Sequence, residues 1–382
     1  MTTDNTLRQG QSCAPEARAA VAEFHAQVTQ PDMAAVLFFC SSAYDLDALA
    51  DEFNRRFPGV PVVGCTTAGE IGPAGYREHS LSGVSFSASA FAAEIGLVRG
   101  LSHFDMATGR TMAEALQQSL EARQPQGHQF AMLLIDGLSM REEPVAHALQ
   151  DGLGAVPLFG GSAGDDLHFQ RTQIFQGGQL HDDSAVLLLL STPLPFVLVR
   201  TQHFVAEDER LVVTEVDAAQ RLVKEINGLP AVDEYARMVG ISATDLAPGH
   251  FAKWPVVVMI DGTDYVRSIQ HANPDGSLTF YCAIDEGVVL RVAHGVDMVE
   301  KTSQALQQVA DELGGISSML VCDCILRQLE AVRTGSRDAL GDLFRRYHAV
   351  GFSTYGEQLG GIHINQTLTG IAFGVAGGGH GH

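Results

Sequence analysis

Residues 34–70 read AAVLFFCSSAYDLDALADEFNRRFPGVPVVGCTTAGE. The stretch opens on an unbroken apolar run, Ala34–Phe39, which has the length and composition of a buried strand. Asp45–Arg56 then carries the pattern of an amphipathic helix. A second apolar run, Val60–Val63, closes in the small-residue turn Gly64-Cys65-Thr66-Thr67-Ala68-Gly69-Glu70. Strand, helix and strand in this order are the unit of an α/β layered domain.

The alternation continues on both sides of this segment. Leu81–Phe86, Ala93–Val98, Phe130–Ile135, Pro157–Phe159 and Ala185–Leu190 read as strands, and Met112–Arg123 and Glu142–Leu153 as helices. From about residue 195 the texture changes. Strand-like Phe196–Arg200 and Leu211–Val216 lead to a helix predicted over Ala218–Ile226, stopped by Asn227-Gly228-Leu229-Pro230. Val256–Ile260, Tyr265–Gln270 and Leu278–Ala283 follow as strands, the last two joined as a hairpin by Asn273-Pro274-Asp275-Gly276. Helices at Met298–Glu312 and Ile325–Arg333 and strands at Ser317–Val321, Ala349–Ser353 and Gln366–Phe373 complete the chain. No internal repeat is visible.

The expected fold class is therefore α/β, as two mixed α/β modules packed together with the ligand site at or near their junction. The boundaries read as an N-terminal extension over 1–29, a first module over 30–220 and a second over 221–375. Residues 376–382 read as a disordered tail, so the histidines of its Gly-Gly-His-Gly-His end are set aside.

Composition narrows the function. With 382 residues, 46% of them hydrophobic and 18% charged, the chain can bury two cores and is not disordered. A net charge of −21 argues against a broad nucleic-acid footprint and against anionic membrane surfaces. No apolar run approaches the roughly 20 residues that span a bilayer. Met1–Cys13 lacks the apolar core of an export signal. Six irregularly spaced cysteines do not make a disulfide framework. A cytoplasmic protein with reduced thiols is expected, with no nucleic-acid and no membrane partner.

Three Gly/Ser/Asp-rich turns directly follow apolar strands, where open α/β sheets carry their sites: Gly64–Glu70, Asp136–Ser139 and Gly160–Asp166. Singly, each fits ordinary turn chemistry, and none is a phosphate loop. As a set, GCTTAGEI (64–71), DGLS (136–139), FGGSAGDD (159–166), VTEVDAAQRLVKEING (213–228), YVRSI (265–269), NPDGSLTFYCAIDEG (273–287), CDCI (322–325), GFSTYGEQ (351–358) and NQT (365–367) resemble the FIST-domain family. The likeness covers all but the ends of the chain. CDCI followed by GFSTYGEQ is similar to the nitric-oxide-sensing haem proteins of that family, the NosP group. That resemblance implies non-covalent haem b, nitric oxide as ligand and a histidine kinase as partner, acting in cyclic-di-GMP or biofilm signalling. Other members of the family are described as sensing small ligands such as amino acids without haem, and that alternative stays open. So does a homodimer.

Haem needs an axial donor, usually His, Cys, Tyr or Met, in an apolar pocket. No Cys-x-x-Cys-His is present, so covalent attachment is excluded. His203, at the end of the Phe196–Arg200 strand, and His363, between the Tyr355 loop and the last strand, are the leading metal ligands. Cys324 and Tyr355 are further cofactor-binding candidates, and His348 is a lesser one. Cys322 and Cys324, both on one face of a strand with Asp323 opposite, read first as buried small residues, with a redox pair or a haem thiolate as the alternatives. The strongest case for an enzyme would use Asp285 and Glu286 with Arg267, or Cys324 with His363; no nucleophile elbow, metalloprotease or kinase signature is present. A binding protein rather than an enzyme is expected.

Overall fold

The structure, a computed structural model, describes residues 6–124 and 127–374. The tail expected over 376–382 lies outside the described residues. The chain begins with β1 (Leu7–Ser12), α1 (Ala17–Val28), β2 (Met33–Ser41), α2 (Leu46–Arg56), β3 (Val62–Thr67), a hairpin of β4 (Glu70–Gly72) and β5 (Gly75–Arg77), and β6 (Leu81–Ser87). The same order recurs in β7 (Ala92–Arg99), α3 (Met106–Arg123), β8 (His128–Ile135), α4 (Glu142–Leu153), β9 (Leu158–Ser162), the hairpin β10 (Ile174–Gln176) and β11 (Gln179–His181), and β12 (Ser184–Thr192).

A third round starts with β13 (Phe196–Thr201) and is interrupted. The interruption holds β14 (Phe204–Asp217), β15 (Leu222–Ile226), β16 (Leu229–Pro230), α5 (Ala231–Val239), α6 (Pro248–Lys253), β17 (Val256–Ile260), β18 (Thr263–Arg267), β19 (Ile269–Ala272), β20 (Leu278–Phe280) and β21 (Val289–Gly295). The round then resumes with α7 (Met298–Leu313), β22 (Ile316–Cys324), α8 (Ile325–Thr334), α9 (Arg337–Arg346), β23 (Ala349–Thr354), the hairpin β24 (Glu357–Leu359) and β25 (Ile362–Ile364), and β26 (Leu368–Gly374). Two compact units result. One comprises Met1–Arg200, Ser303–Ile362 and Leu368–His382; the other comprises Thr201–Thr302 and His363–Thr367.

In the first unit the three rounds build three sheets of one design, ordered β1-β6-β2-β3-β10-β11, β7-β12-β8-β9-β24-β25 and β13-β26-β22-β23-β4-β5. Each has a parallel pair at its middle: β2 with β3, β8 with β9, and β22 with β23. Each also borrows its last two strands from another round, in cyclic order. This is an internal threefold repeat, contrary to the sequence reading. The rounds share spacing and a few turn residues rather than side chains, and the third is split by a long insertion. Residues 7–28, taken from sequence as an extension, form the edge strand and first helix of the first sheet, with β1 antiparallel to β6.

One apolar cluster takes alternate residues from all three sheets, among them Leu37 and Phe39 of β2, Met132 and Leu134 of β8, and Leu320 and Cys322 of β22. Phe39 stacks on Phe352 across it, ring centroids 4.6 Å apart. The opposite faces of β2 and β8 are covered by helices: Val36 and Phe38 pack with Phe24 and Phe53, and Leu133 and Ile135 with Leu120 and Leu149. Burial on both faces is what makes these strands unbroken apolar runs in the sequence.

The second unit is one sheet, ordered β18-β17-β21-β14-β15-β20-β19 with β16 paired to β15, over a core that includes Val223, Ile226, Tyr235 and Phe251. Here the helix expected over Ala218–Ile226 is corrected to a strand. A single 3₁₀ turn, Ala218–Gln220, precedes β15, whose Val223 and Ile226 enter the core. Ile226 pairs with Leu229, so Asn227-Gly228 is a two-residue hairpin turn with φ of 56° and 74°. Both angles are what a type I′ turn requires, so Asn-Gly marked a hairpin here and not a helix end.

Candidate functional site

The ends of β3, β9 and β23 meet in the first unit and bring together the Gly64–Glu70, Gly160–Asp166 and Tyr355 segments. Thr66, Ser162 and Ser353 occupy equivalent places. The N–H of Thr66 donates to Gln173 O at 3.0 Å, that of Ser162 to Gly356 O at 2.8 Å and that of Ser353 to Gly69 O at 2.7 Å. One layer on, the N–H groups of Ala68, Gly164 and Tyr355 donate to Ser353 O, Thr66 O and Ser162 O at 3.1, 3.0 and 3.2 Å. These six backbone donors are therefore all engaged by backbone carbonyls. Two residues before the ring the chain is packed to backbone contact: a Cβ on Gly64, Gly160 or Gly351 would lie 2.6, 2.1 or 1.8 Å from the carbonyl oxygen of Phe38, Leu133 or Val321.

Two acids stand at equivalent places behind the ring. Thr67 donates its hydroxyl to Glu70, and Thr354 donates its own to Glu357. Glu70 is fully buried and also accepts from the N–H and hydroxyl of Ser80, at 2.9 and 2.7 Å. Burial pushes its carboxyl up to about 8, against the lowering by these bonds. A folded pKa raised above the ordinary value of 4.5 means that the native chain keeps a proton the unfolded chain releases. The associated stability is fully present below about pH 4.5 and is lost as pH rises towards about 8. Glu70→Gln, which holds the neutral form, is expected to close that window. The ratio of wild-type to variant stability, from urea unfolding at several pH values, should fall between pH 5 and 8; a constant ratio would contradict a neutral Glu70.

Tyr355 donates its hydroxyl to Asp165 and accepts from the N–H groups of Asp165 and Leu167 at 3.3 and 3.1 Å. Burial, then the Asp165 carboxylate, push its pKa up, so a phenolate for iron is disfavoured. Phe169, about half exposed, stacks on its ring at 4.6 Å. Cys324 ends β22, one strand from Thr354, and is buried. Cys322 belongs to the shared apolar core and Asp323 points the other way, as alternation requires. Asp323 accepts from Arg327 Nε at 2.7 Å and from the hydroxyl of Tyr76, with acid and guanidinium both fully buried. Sequence reasoning passed over this triad, although Asp323, near the end of β22, and Arg327, in the first turn of α8, are only four residues apart.

His203 and His363 fall in the second unit and Tyr355 and Cys324 in the first, with His363 at the middle of β25. They are the only buried histidines among the described residues, at 1% and 2% exposure; His348 is exposed. The His203 ring lies 4.2 Å from that of Phe204, and a Cβ on Gly295 would meet its Nε2 at 3.6 Å. The His363 carbonyl accepts from Arg267 Nη1 at 2.8 Å. Beyond it Ile364, Asn365, Gln366 and Thr367 are all buried. Gln366, at φ 50°, accepts from Ser268 Oγ at 2.8 Å and donates to Ala252 O at 3.2 Å. Four polar residues in five, all buried, were visible as His-Ile-Asn-Gln-Thr, but only structure shows that the segment belongs with Arg267. Among the described residues no three His, Cys, Asp or Glu side chains are grouped to hold a metal ion, and no helix is long and apolar enough to cross a membrane.

Comparison with known proteins gives a family. The FIST N domain matches residues 34–229 and the FIST C domain residues 231–359. No curated protein matches the chain in sequence. Among solved structures, the cyanuric acid hydrolase from A. caulinodans is similar at 7% identity and a TM-score of 0.39, over 96% of this chain and 99% of that one. A cyanuric acid hydrolase described as an evolutionary innovation by structural concatenation is similar at 10% identity and 0.35, over the same shares. At those values neither likeness carries an argument about fold or activity. The two domain matches together take in most of the chain, which belongs to the FIST family of signal-transduction sensor domains.

Proposed function

We propose that this FIST protein is a haem-dependent nitric oxide sensor, of the NosP kind, that regulates a histidine kinase. The observation that supports it is the burial of His203 and His363, alone among the described histidines, in one compact unit. Imidazole is the usual donor to b-type haem, and the donor chemistry present here fits. The side-chain-free position at Gly295 beside His203 Nε2 fits as well. Haem b, when bound, supplies a ferrous iron with affinity for nitric oxide. The chain's part is to present a buried imidazole and to keep water from it, with Phe204 against the His203 ring. Binding without catalysis accords with the thiols: burial pushes those of Cys40, Cys65 and Cys322 well above their usual range, away from the nucleophilic thiolate.

The test is a haem titration followed by absorption, ferric and ferrous, with and without nitric oxide. A saturable Soret band that shifts with nitric oxide is expected, lost in a variant carrying both His203→Ala and His363→Ala. Full haem binding by that double variant would remove both ligands from the proposal, and no saturable band in the parent chain would remove the haem. Kinase autophosphorylation that answers nitric oxide only in the presence of the loaded protein is the matching partner result. A haem-free module sensing a metabolite such as an amino acid is the second reading; what favours it is Arg267, not the turns.

A further inference from the structure

Arg267 is 9% exposed, and Nη1 donates to two backbone carbonyls, Val266 O at 3.5 Å and His363 O at 2.8 Å. Among the described residues no carboxylate faces it. A guanidinium withdrawn from water is stable only with a counter-charge or dense hydrogen bonding. In a chain of net charge −21, with acids outnumbering bases 45 to 24, the lack of an acid at this one position is conspicuous.

A second observation lies two residues beyond its bonded carbonyl. Asn365 is 1% exposed, and neither its Oδ1 nor its Nδ2 has a hydrogen-bond partner. A carboxamide buried with both ends unmade costs stability and is rare in native proteins. The backbone directly after Asn365 is held, since Gln366 sits in the left-handed region and is pinned at both ends of its side chain by Ser268 and Ala252. Strain of this kind, held by its surroundings, gathers at ligand sites.

We infer that Arg267 and Asn365 form a carboxylate-binding site in the second unit. One guanidinium matches one monoanion, its planar fork suits the two oxygens of a carboxylate, and a neighbouring amide donor completes the set. Two sources share this chemistry: a propionate of haem and the carboxylate of a free amino or organic acid. The inference stands on these residues and holds under either reading of the ligand.

Full-length protein is compared with its Arg267→Met and Asn365→Leu variants against five probes: haem b, haem b dimethyl ester, L-alanine, L-glutamate and inorganic phosphate. If the source is a propionate, wild type prefers haem b to its ester by about tenfold or more, and both variants lose the preference. If it is a free acid, an amino acid raises the wild-type Tm and neither variant responds. Asn365→Leu, which removes an amide that bonds nothing, should leave the unliganded protein at least as stable as wild type, so the test survives if Arg267→Met fails to fold. Equal binding of every probe by wild type and Asn365→Leu overturns the inference, as does a response to phosphate but to no carboxylate. Haem binding without discrimination of the ester, and with no response to amino acids, would overturn the site while leaving the haem sensor intact. An amino-acid response without haem binding would do the reverse.

Discussion

Asp323→Ala is expected to destabilise the first unit by about 3–5 kcal/mol, enough to unfold many domains. The carboxylate accepts from Arg327 and Tyr76 at a place with no access to water. Its removal leaves a fully buried guanidinium without a counter-charge and a phenol without an acceptor. The loss comes from the orphaned partners rather than from the pair's own worth, because a buried pair weighs its Coulomb gain against desolvation. Asp323→Ala combined with Arg327→Met should therefore recover much of the loss. Urea unfolding of the single and double variants measures this, and a double variant as weak as the single would show that the ion pair is not the cause.

The second large effect is steric. Gly351→Ala should cost at least the upper end of the roughly 1–3 kcal/mol typical of overpacking. Its Cβ would stand 1.8 Å from the carbonyl oxygen of Val321, the residue it pairs with in the parallel β22–β23 ladder. Backbone cannot give as a flexible side chain does, so the pair must separate and the ring beside Ser353 with it. Gly249→Ala is the control, since a Cβ there meets nothing within 4 Å. The urea midpoint should fall sharply for the first and hardly move for the second; similar midpoints would mean that the parallel pair is softer than its packing implies.

Much of the fold is legible in the chain because burial on both faces writes a strand as an apolar run. Ala34–Phe39 and Phe130–Ile135 were found on that ground and lie within β2 and β8. The Ala218–Ile226 segment misled because Asn-Gly stops a helix and turns a hairpin equally well; Val223 and Ile226, buried three residues apart, fit either, and only pairing with β14 and β20 decides for the strand. The threefold design was hidden because it resides in hydrogen-bond geometry. Gly64, Gly160 and Gly351 mark it, but three glycines among 40 announce nothing until their neighbours are known. At the candidate sites, the two leading histidines are buried and the lesser one, His348, is exposed, whereas Glu70, Asp323 and Asn365 gave no signal. What distinguishes those three is which partners they have or lack, and partners come from other parts of the chain.

The cyclic loan of hairpins has a consequence for synthesis on the ribosome. β4 and β5 emerge early, yet the strand they pair with, β23, begins only at Ala349. For most of translation this hairpin waits with an open edge, and the second sheet waits likewise for β24. A nascent chain halted anywhere before that point has no finished third sheet to rest on, so stalled or truncated products should be read by the cell's proteases as unfolded. The first unit is completed by its last residues or not at all.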